Sequence, residues 1–279
     1  ILAEDGAVRG VRLENGGTCM ADAVVLATGG MSYPGTGSTG DGYRLAERLG
    51  HTVVSPRAAL VPIEASEKWC AELMGLSLKN VTLTLKNAAG KAVFSEMGEM
   101  LFTHFGVSGP LVLSASSYIK EDPGAYRIEI DLKPALNMQQ LDARLLRDFA
   151  ENRNRDFINA LDRLLPRKLI PVAVRLSGVA PEKKVHSITQ AERRAFAALL
   201  KALPVTPKAF APIEQAVITS GGISAREINP KSMESKLIRG LYPIGEVVDV
   251  DAFTGGFNLQ IAFSTAFLAA AAIAAADNG

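Results

Sequence analysis

Residues 242–247 read YPIGEV and residues 254–260 read TGGFNLQ, close to the end of the chain. The first segment predicts a short buried strand, and the second predicts a diglycine turn that opens a long alanine-rich helix. Free N–H groups in the first turn of a helix, together with the helix dipole, favour an anion such as phosphate. Gly255 and Gly256 lack a Cβ atom, so ligand atoms can approach their backbone closely. The pattern predicts a ligand site, and the alternative is a plain strand-to-helix loop.

Length and composition indicate one large globular domain or two moderate ones. The chain has 279 residues, of which 48% are hydrophobic and 21% are charged. Its formal net charge of +1 gives no electrostatic case for nucleic acid or an anionic membrane as a partner. Only Cys19 and Cys70 occur, without metal-ligand spacing. This predicts a reducing, cytoplasmic compartment, two small buried thiols and no metal site.

The run over residues 252–276 is nearly uncharged and long enough to imitate a membrane span. It contains Asn258, Gln260, Ser264 and Thr265, and its bulk is alanine, which is only weakly lipophilic. We therefore expect a helix buried on most sides against a sheet, and no membrane partner.

The beginning of the chain predicts a hairpin followed by a central strand. Residues 7–13 alternate between apolar and polar, and the second arm of the hairpin is expected over residues 18–21. Residues 23–28 form an apolar run typical of a parallel strand covered on both faces. Ligands in open α/β sheets lie beyond the carboxyl ends of such strands, so Thr28, Gly29 and Gly30 are candidate site residues.

Residues 35–40 read GTGSTG, which formally matches the GxGxxG pattern of dinucleotide-binding proteins. The segment does not directly follow a strand, and no clear strand-end acidic residue follows about 20 positions later. We interpret it as a loop that leads into a helix over residues 43–49, which ends at Gly50. Whether its backbone approaches a ligand stays open.

From residue 58 to about residue 211 the pattern changes to antiparallel-type strands mixed with helices. Helices are expected after Gly109, after the capping residues Asn137 and Thr189, and over residues 157–164 and 168–176. Strands are expected at 60–63, 81–85, 92–94, 99–103 and 126–132. We predict an inserted α+β domain, a small strand barrel with a helical lobe. A further strand is predicted over residues 213–219, and the first and last portions of the chain are expected to form one nucleotide-binding sheet.

Several motifs together resemble the YhiN/BaiN-like flavoproteins, which are NAD(P)/FAD-dependent oxidoreductases and include aminoacetone oxidase. The resemblance covers essentially the whole chain. The matching segments are residues 27–30 (ATGG), 32–34 (SYP), 36–43 (TGSTGDGY), 50–51 (GH), 102–110 (FTHFGVSGP), 219–223 (TSGGI) and 245–260. It implies a partial α/β FAD-binding domain of the glutathione-reductase type, Rossmann-like, at residues 1–57 and 213–279. The inserted α+β domain then occupies residues 58–212.

The resemblance also implies which residues hold FAD. Gly245 and Glu246 match a Gly–acidic pair that places a carboxylate on the ribityl or pyrophosphate region of the flavin. Residues 254–260 match a turn and helix start beside the pyrophosphate and the isoalloxazine edge. The implied cofactor-binding residues are Thr28, Gly29, Gly30, Gly245, Glu246, Thr254, Gly255, Gly256, Phe257, Asn258 and Gln260.

This sequence departs from the family at four points. The family usually has glycine where Ala252 stands, and often has tyrosine at Phe257 and tryptophan at Ile261. It also begins with a strand, a GxGxxG turn and a helix, and no such unit precedes Ile1. We therefore expect a truncated chain that lacks the N-terminal βαβ unit, roughly the first hundred residues.

The leading function hypothesis is an FAD-dependent oxidoreductase that acts on an unidentified small molecule, with NAD(P)H as a possible reductant. The alternative is a truncated, non-catalytic scaffold or interaction module that does not hold FAD by itself. A third hypothesis is a flavoprotein acting on RNA, although the basic residues of 153–168 are interpreted as a solvated face. His104 is a weak catalytic candidate, because a histidine bonding a neighbouring backbone explains the same motif. The substrate and the oligomeric state stay open.

Overall fold

A computed structural model describes residues 1–277 of the chain. The chain divides into two compact units. Unit 1 comprises Ile1–Val61 and the segment from Ala211 onward, and unit 2 comprises Pro62–Phe210. The domain boundaries predicted from the sequence, at 57/58 and 212/213, lie close to these divisions.

Within residues 1–277 the strands are, in chain order, β1 (Leu2–Glu4), β2 (Ala7–Arg12), β3 (Thr18–Met20), β4 (Val24–Leu26), β5 (Val53–Ala59), β6 (Ile63–Ala65), β7 (Ser77–Lys86), β8 (Ala92–Phe102), β9 (Gly106–Ser108), β10 (Arg127–Asp131), β11 (Leu203–Val205), β12 (Pro207–Phe210), β13 (Ile218–Ile223) and β14 (Leu241–Pro243). The α-helices are α1 (Asp41–Arg48), α2 (Trp69–Glu72), α3 (Pro110–Ser116), α4 (Met138–Glu151), α5 (Ile170–Ser177), α6 (Gln190–Lys201) and α7 (Phe257–Asp277).

Unit 1 contains three small sheets, so the prediction of one nucleotide-binding sheet is wrong for the described residues. The predicted hairpin is confirmed as β2 and β3, with β1 added at its edge. β13 pairs antiparallel with β5, and β14 pairs parallel with β4. β4 and β14 have only three residues each, since Pro243 ends one and the glycines at 29 and 30 soon follow the other. Isolated bridges, such as Ile223 to Val248, join the sheets instead of continuous ladders.

β4 confirms the parallel strand predicted at 23–28 but not its burial on both faces. Val25 is 46% exposed, and the sheet it belongs to has only the two strands β4 and β14 within the described residues. The buried strand predicted at 242–247 is confirmed in β14, whose three residues are all buried. The helix predicted at 43–49 is confirmed as α1, with Gly50 following at a positive φ of 90°.

β13 corrects the strand that the sequence places at residues 213–219. The strand begins at Ile218 instead and continues through Gly221 and Gly222, beyond the predicted end at residue 219. All six of its residues are buried, and a Cβ on Gly221 would lie 2.6 Å from the carbonyl oxygen of Ser55. Here glycine allows two backbones to pack closely.

Unit 2 is built on a seven-stranded antiparallel sheet with the order β11-β10-β7-β8-β9-β6-β12. Two predicted strands, at 92–94 and 99–103, form the single strand β8. The strand predicted at 60–63 is broken, because Leu60 has a φ of 50° and Pro62 follows it. The helix predicted at 157–164 is only a short 3-10 turn, Phe157–Ala160. Capping boxes confirm the predicted helix starts at Asn137 and Thr189.

Each unit has its own hydrophobic core. The core of unit 2 contains Phe102, Phe157 and Phe196, which are almost fully buried. Cys70 belongs to this core, and burial together with the charge of Glu67 raises the pKa of its thiol to about 12. Cys19 is exposed on β3, so the prediction of a second buried thiol is wrong.

The long apolar helix α7 corrects another expectation. Ala269 is its one buried residue within 257–276, and the others are half-buried or exposed, so the helix is not covered on most sides. One face packs on the core of unit 1 through Leu268, Ala269 and Ile273. The opposite face exposes Leu259 (64%), Phe263 (68%) and Phe267 (73%). By length and composition alone, within the described residues, it is the one helix that could cross a membrane, which is weak evidence for a span.

Candidate cofactor site

The loop after β4 is fixed to β13 by one threonine side chain. Thr219 is 2% exposed, and its Oγ1 accepts hydrogen bonds from the backbone N–H of Met31 at 2.7 Å and of Ser32 at 3.1 Å. The hydroxyl of Ser32 lies 3.1 Å from the same oxygen. The loop that follows the carboxyl end of β4 therefore has a defined conformation, although residue 219 is far away in the sequence.

Glu246 joins this arrangement from the end of the neighbouring strand. It lies in a 3-10 turn, Gly245–Val247, that directly follows β14 and Ile244. Its Oε1 accepts a hydrogen bond from the backbone N–H of Thr219 at 2.6 Å. A half-buried carboxylate therefore sits at the carboxyl ends of the only parallel strand pair in residues 1–277. We call residues 28–32, Thr219 and Glu246 the strand-end site.

Glycine is sterically required at two positions of the strand-end site and its surroundings. A Cβ on Gly30 would lie 2.4 Å from Thr219 Oγ1 and 2.9 Å from Glu246 Oε1. A Cβ on Gly42, near the start of α1, would lie 2.0 Å from Thr28 Oγ1. These separations are too short for any real Cβ contact, so a larger residue would displace the groups that form the site. The missing Cβ atoms of Gly30 and Gly42 therefore let Thr219, Glu246 and Thr28 pack closely against the backbone. Contact between a ligand and residues 28–30 stays a prediction.

Two buried hydroxyl groups beside this site have no hydrogen-bond partner within the described residues. They are Thr28 Oγ1 and Tyr43 OH. A buried hydroxyl without a partner costs about 1–3 kcal/mol, and such groups call for an explanation such as a ligand or an ion. Burial, and then the charges of Glu246 and Asp249, raise the pKa of Tyr43 to about 12. Tyr43 therefore stays protonated and keeps a hydrogen-bond donor near the carboxylate.

The start of α7 has the diglycine turn expected from the sequence. Gly255 and Gly256 have φ values of 114° and 87°, which favour glycine strongly. The amide of Asn258 is occupied, because its Oδ1 accepts the N–H of Ala252 at 2.8 Å and its Nδ2 donates to the carbonyl of Ala252 at 2.8 Å. Asn258 thus shapes the loop before the helix. Binding of an anion by the first-turn N–H groups of α7 stays a prediction.

The remaining predicted cofactor residues surround the same helix start. Gly245 donates its N–H to Thr265 Oγ1 at 3.0 Å, which joins the 3-10 turn to α7. Phe257 is exposed, Thr254 is half-buried, and Gln260 is exposed with its Nε2 donating to Ser264 Oγ at 3.0 Å. The structure thus brings Gly30 and Glu246 together directly, and Thr28 lies beside Gly42. Gly245 and residues 254–260 are attached through α7, and their contacts to a cofactor stay predictions.

His104 lies in unit 2, in the turn between β8 and β9. Its ring is exposed and meets Phe105 edge-on, with ring centroids 4.9 Å apart. It lines a concavity of about 540 Å³ together with Lys68 and Lys208. Its catalytic role stays a prediction, and within residues 1–277 no group of three or more His, Cys, Asp or Glu side chains could hold a metal ion.

Sequence reasoning missed a buried histidine network in unit 1. His51 Nε2 lies 2.9 Å from Ser235 Oγ, and His51 Nδ1 lies 3.1 Å from Glu227 Oε2. The distances match a serine–histidine–acid triad, but the His51 side chain is fully buried, and Ser235 Oγ accepts the N–H groups of residues 237 and 238. A buried hydroxyl with these hydrogen bonds stabilises the fold and does not act as a nucleophile. Local sequence gave no signal, because the partners are separated by 184 positions.

Comparisons with known proteins agree with this two-part architecture. A family model described as the HI0933-like protein barrel and H2TH domain matches residues 57–218. The chain is 33% identical over 275 residues to a ribosomal RNA dihydrouridine synthase of Haemophilus influenzae, covering 98% of this chain and 65% of that protein. It is 34% identical over 267 residues to the protein of the same name from Escherichia coli, covering 95% and 64%.

A third relative has a different name. The chain is 30% identical over 260 residues to a 3-dehydro-bile acid delta(4,6)-reductase of Clostridium scindens, covering 91% of this chain and 62% of that protein. The chain thus spans less than two thirds of the length of these curated relatives. The chain belongs to the HI0933-like flavoprotein family, which confirms the resemblance found in its motifs.

Proposed function

We propose that this chain is the FAD-holding part of a flavin-dependent oxidoreductase. The observation that carries the proposal is the strand-end site, in which Glu246 and Thr219 fix the loop after β4. Its glycines leave no room for a Cβ, and the buried Thr28 hydroxyl beside them has no partner within the described residues. A flavin nucleotide fits such a site, because it offers both a pyrophosphate for backbone N–H groups and hydroxyls for a carboxylate.

Each part of the site has a defined task in this proposal. Gly29 and Gly30 let the loop after β4 pack against Ser38, Thr219 and Glu246, and the first turn of α7 would receive the pyrophosphate. Glu246 would accept a hydrogen bond from a ribityl hydroxyl with the carboxylate oxygen that Thr219 does not occupy. When bound, the flavin would supply hydride chemistry that side chains cannot provide. The protein's own contribution is binding, orientation and a fixed negative charge.

The names of the relatives suggest a reaction class. Dihydrouridine is uridine with a saturated double bond next to a ring carbonyl, and a delta(4,6)-reductase acting on a 3-oxo compound saturates double bonds conjugated to a carbonyl. We propose the same chemistry here, reduction of a carbon–carbon double bond conjugated to a carbonyl. The β carbon of the substrate would receive the hydride, the α carbon would receive a proton, and NAD(P)H would supply the two electrons.

Anaerobic flavin reoxidation tests the proposed reaction. The chain would be loaded with FAD, reduced with one equivalent of NAD(P)H or dithionite, and mixed with a uridine oligonucleotide or with cyclohexenone. We expect flavin absorbance to return only with these conjugated compounds. Dihydrouridine and cyclohexanone, which lack the double bond, serve as matched controls. Equal reoxidation by the saturated controls, or none by either conjugated compound, would contradict the reaction class.

A scaffold that does not hold FAD by itself is the second candidate. The exposure of α7 favours this candidate, because the helix carries several predicted cofactor residues and has one buried residue, Ala269, within 257–276. Under this alternative the purified chain would be folded, colourless and unable to retain added FAD on a desalting column.

A further inference from the structure

A concavity of about 540 Å³ lies entirely within unit 2, apart from the strand-end site. Its chemistry comes from Glu67, Lys68, His104, Phe105 and Lys208, which we call the lysine pocket. The pocket is formed by three segments: the link between β6 and α2, the turn between β8 and β9, and strand β12. None of the three cationic or potentially cationic side chains is buried, so none of them contributes to the core.

The turn that carries His104 is closely fixed. The N–H of Thr103 donates to the carbonyl of Gly106 at 2.9 Å, and the N–H of Gly106 donates to Thr103 Oγ1 at 3.0 Å. A Cβ on Gly106 would lie 2.3 Å from the carbonyl oxygen of Ile63. The backbone of the turn therefore packs directly against β6, and His104 and Phe105 are presented at its tip in a defined position.

The other two segments are attached to this turn and to each other. The N–H of Ala65 donates to the carbonyl of Phe105 at 3.0 Å, and the N–H of Ser66 donates to the carbonyl of Thr206 at 2.9 Å. In return, the N–H of Thr206 donates to both carboxylate oxygens of Glu67, at 3.1 and 2.9 Å. Hydrogen bonds to backbone groups thus hold the three segments together, and the rim of the pocket has a defined shape.

Lys208 occupies an irregular position in the edge strand β12. Pro207 pairs with Ala65 and Ala209 pairs with Glu64, so Lys208 is the extra residue where the register shifts. A bulge of this kind changes the direction of a side chain and is common beside functional sites. Here it lies at the pocket, where Lys208 is exposed.

The charge of the lysine pocket is positive. Lys68 and Lys208 form no ion pair within residues 1–277, whereas lysines at positions 183 and 201 are paired with acids. The only acid among the lining residues is Glu67, and both of its oxygens already accept a backbone N–H. Two free ammonium groups, an imidazole and a half-buried aromatic ring therefore share one rigid concavity.

We propose that the lysine pocket binds the phosphodiester backbone of an RNA strand. Lysine is a common phosphate ligand, and Phe105 and His104 add flat faces on which a base can stack. A small phosphorylated molecule offers the same phosphate chemistry. RNA is favoured because two relatives carry the name ribosomal RNA dihydrouridine synthase, and because the matched barrel and H2TH model at 57–218 contains the whole pocket.

The proposal departs from the expectation that the chain has no nucleic-acid partner, which rests on the formal net charge of +1. A net charge is an average over the whole surface, whereas phosphate binding depends on local charge. The idea that RNA is also the substrate of the reaction rests on the proposed function. The idea that the lysine pocket binds RNA is independent of the proposed function, because the pocket involves only unit 2.

Fluorescence anisotropy with a labelled single-stranded, uridine-containing RNA tests the proposal on the whole 279-residue chain without FAD. The test variant is Lys68→Gln with Lys208→Gln, and the matched control is Lys91→Gln with Lys120→Gln, two exposed lysines of unit 2 without an ion pair in the described residues. We expect the pocket variant to bind at least about tenfold more weakly at low salt, and the control to change less than about twofold. The slope of log K against log salt should fall by about 1.4, since each single-strand phosphate contact contributes about 0.7.

Three outcomes would overturn the proposal. They are equal weakening in both variants, no RNA binding by the unmodified chain at low salt, and saturable binding of inorganic phosphate without RNA binding. A single His104→Ala variant should weaken RNA binding without changing thermal stability, because its ring is exposed. RNA binding in a chain that fails to retain FAD would support the lysine pocket while contradicting the proposed function, so the two failures are distinguishable.

Discussion

Glu246 Oε1 accepts the backbone N–H of Thr219 at 2.6 Å, and the side chain of Thr219 in turn accepts two N–H groups from the loop after β4. One carboxylate and one hydroxyl thus join three segments that are far apart in the sequence. Their meeting point is the carboxyl end of the parallel pair β4 and β14. Ligands in α/β sheets bind at such ends, and the network explains why the backbone there is already in a defined conformation.

Replacing Thr219 by Val should destabilise unit 1. The substitution keeps the shape of the side chain but removes the acceptor for the N–H groups of Met31 and Ser32. Because an unpaired buried donor costs about 1–3 kcal/mol, we expect the free energy of unfolding to fall by at least about 2 kcal/mol. Urea denaturation measures this change. Thr84→Val is the control, since its hydroxyl bonds Ser95 at an exposed position, and equal losses in both variants would contradict the role of Thr219.

Replacing Gly30 by Ala should disturb the strand-end site through steric overlap. The added Cβ would lie 2.4 Å from Thr219 Oγ1, so the loop or the threonine must move. We expect a loss of about 1–3 kcal/mol in the free energy of unfolding, together with weaker FAD binding. Gly35→Ala is the matched control, because nothing lies within 4 Å of its added Cβ. A Gly30→Ala protein as stable as Gly35→Ala would show that the site is loosely packed.

The raised pKa of Tyr43 leads us to expect a loss of folding stability at alkaline pH. Its pKa is raised by burial, and then by Glu246 and Asp249, from 10.0 to about 12. A raised folded-state pKa means that its contribution is complete below pH 10 and is lost as the pH rises toward 12. At pH 11 the contribution of Tyr43 to the free energy of unfolding has fallen by about 1.4 kcal/mol.

The Tyr43→Phe variant isolates this effect. Its stability should equal or exceed that of the unmodified chain at pH 7, because the removed hydroxyl is buried without a partner in the described residues. Between pH 10 and pH 12 its stability should decline less steeply. Tyr33→Phe, which alters an exposed ring, provides the comparison. Parallel pH profiles for Tyr43→Phe and the unmodified chain would show that Tyr43 ionises freely.

The exposed face of α7 should tolerate polar residues. Phe263 and Phe267 are largely exposed, and serine has a helix propensity close to that of phenylalanine. We expect the double variant Phe263→Ser, Phe267→Ser to change the free energy of unfolding by less than about 1 kcal/mol and to reduce self-association in sedimentation velocity. Leu268→Ser, on the face that packs against the core, should cost more than about 1.5 kcal/mol. A double variant as unstable as Leu268→Ser would contradict the exposure of this face.

Local chemistry in the sequence was sufficient for some elements. The capping residues Asn137 and Thr189 mark helix starts correctly, and the diglycine at 255–256 correctly marks the turn before α7. In each case the signal and the structure lie within a few residues of each other. The change of pattern at residues 58–211 predicted the inserted α+β domain, and the family resemblance added the flavoprotein class.

Contacts between distant segments could not be predicted in the same way. The predicted strand ends at residue 219, and only the pairing with β5 extends it through Gly221 and Gly222. The dependence of the loop at 28–32 on Thr219, and the bulge at Lys208, arise from strand pairing that no local pattern encodes. The exposure of α7 follows from how little of unit 1 lies against it, whereas its own sequence is apolar all round.

Titration of the purified 279-residue chain with FAD, followed by flavin fluorescence, tests the central claim most directly. The comparison uses Glu246→Gln, whose amide oxygen can still accept the N–H of Thr219, and Glu14→Gln, an exposed control. We predict saturable binding by the unmodified chain and the control, and about tenfold weaker binding by Glu246→Gln, since a hydrogen bond to a charged group contributes about 1.5–3 kcal/mol. Absence of saturable binding, or equal affinity in all three proteins, would contradict the assignment of FAD to the strand-end site.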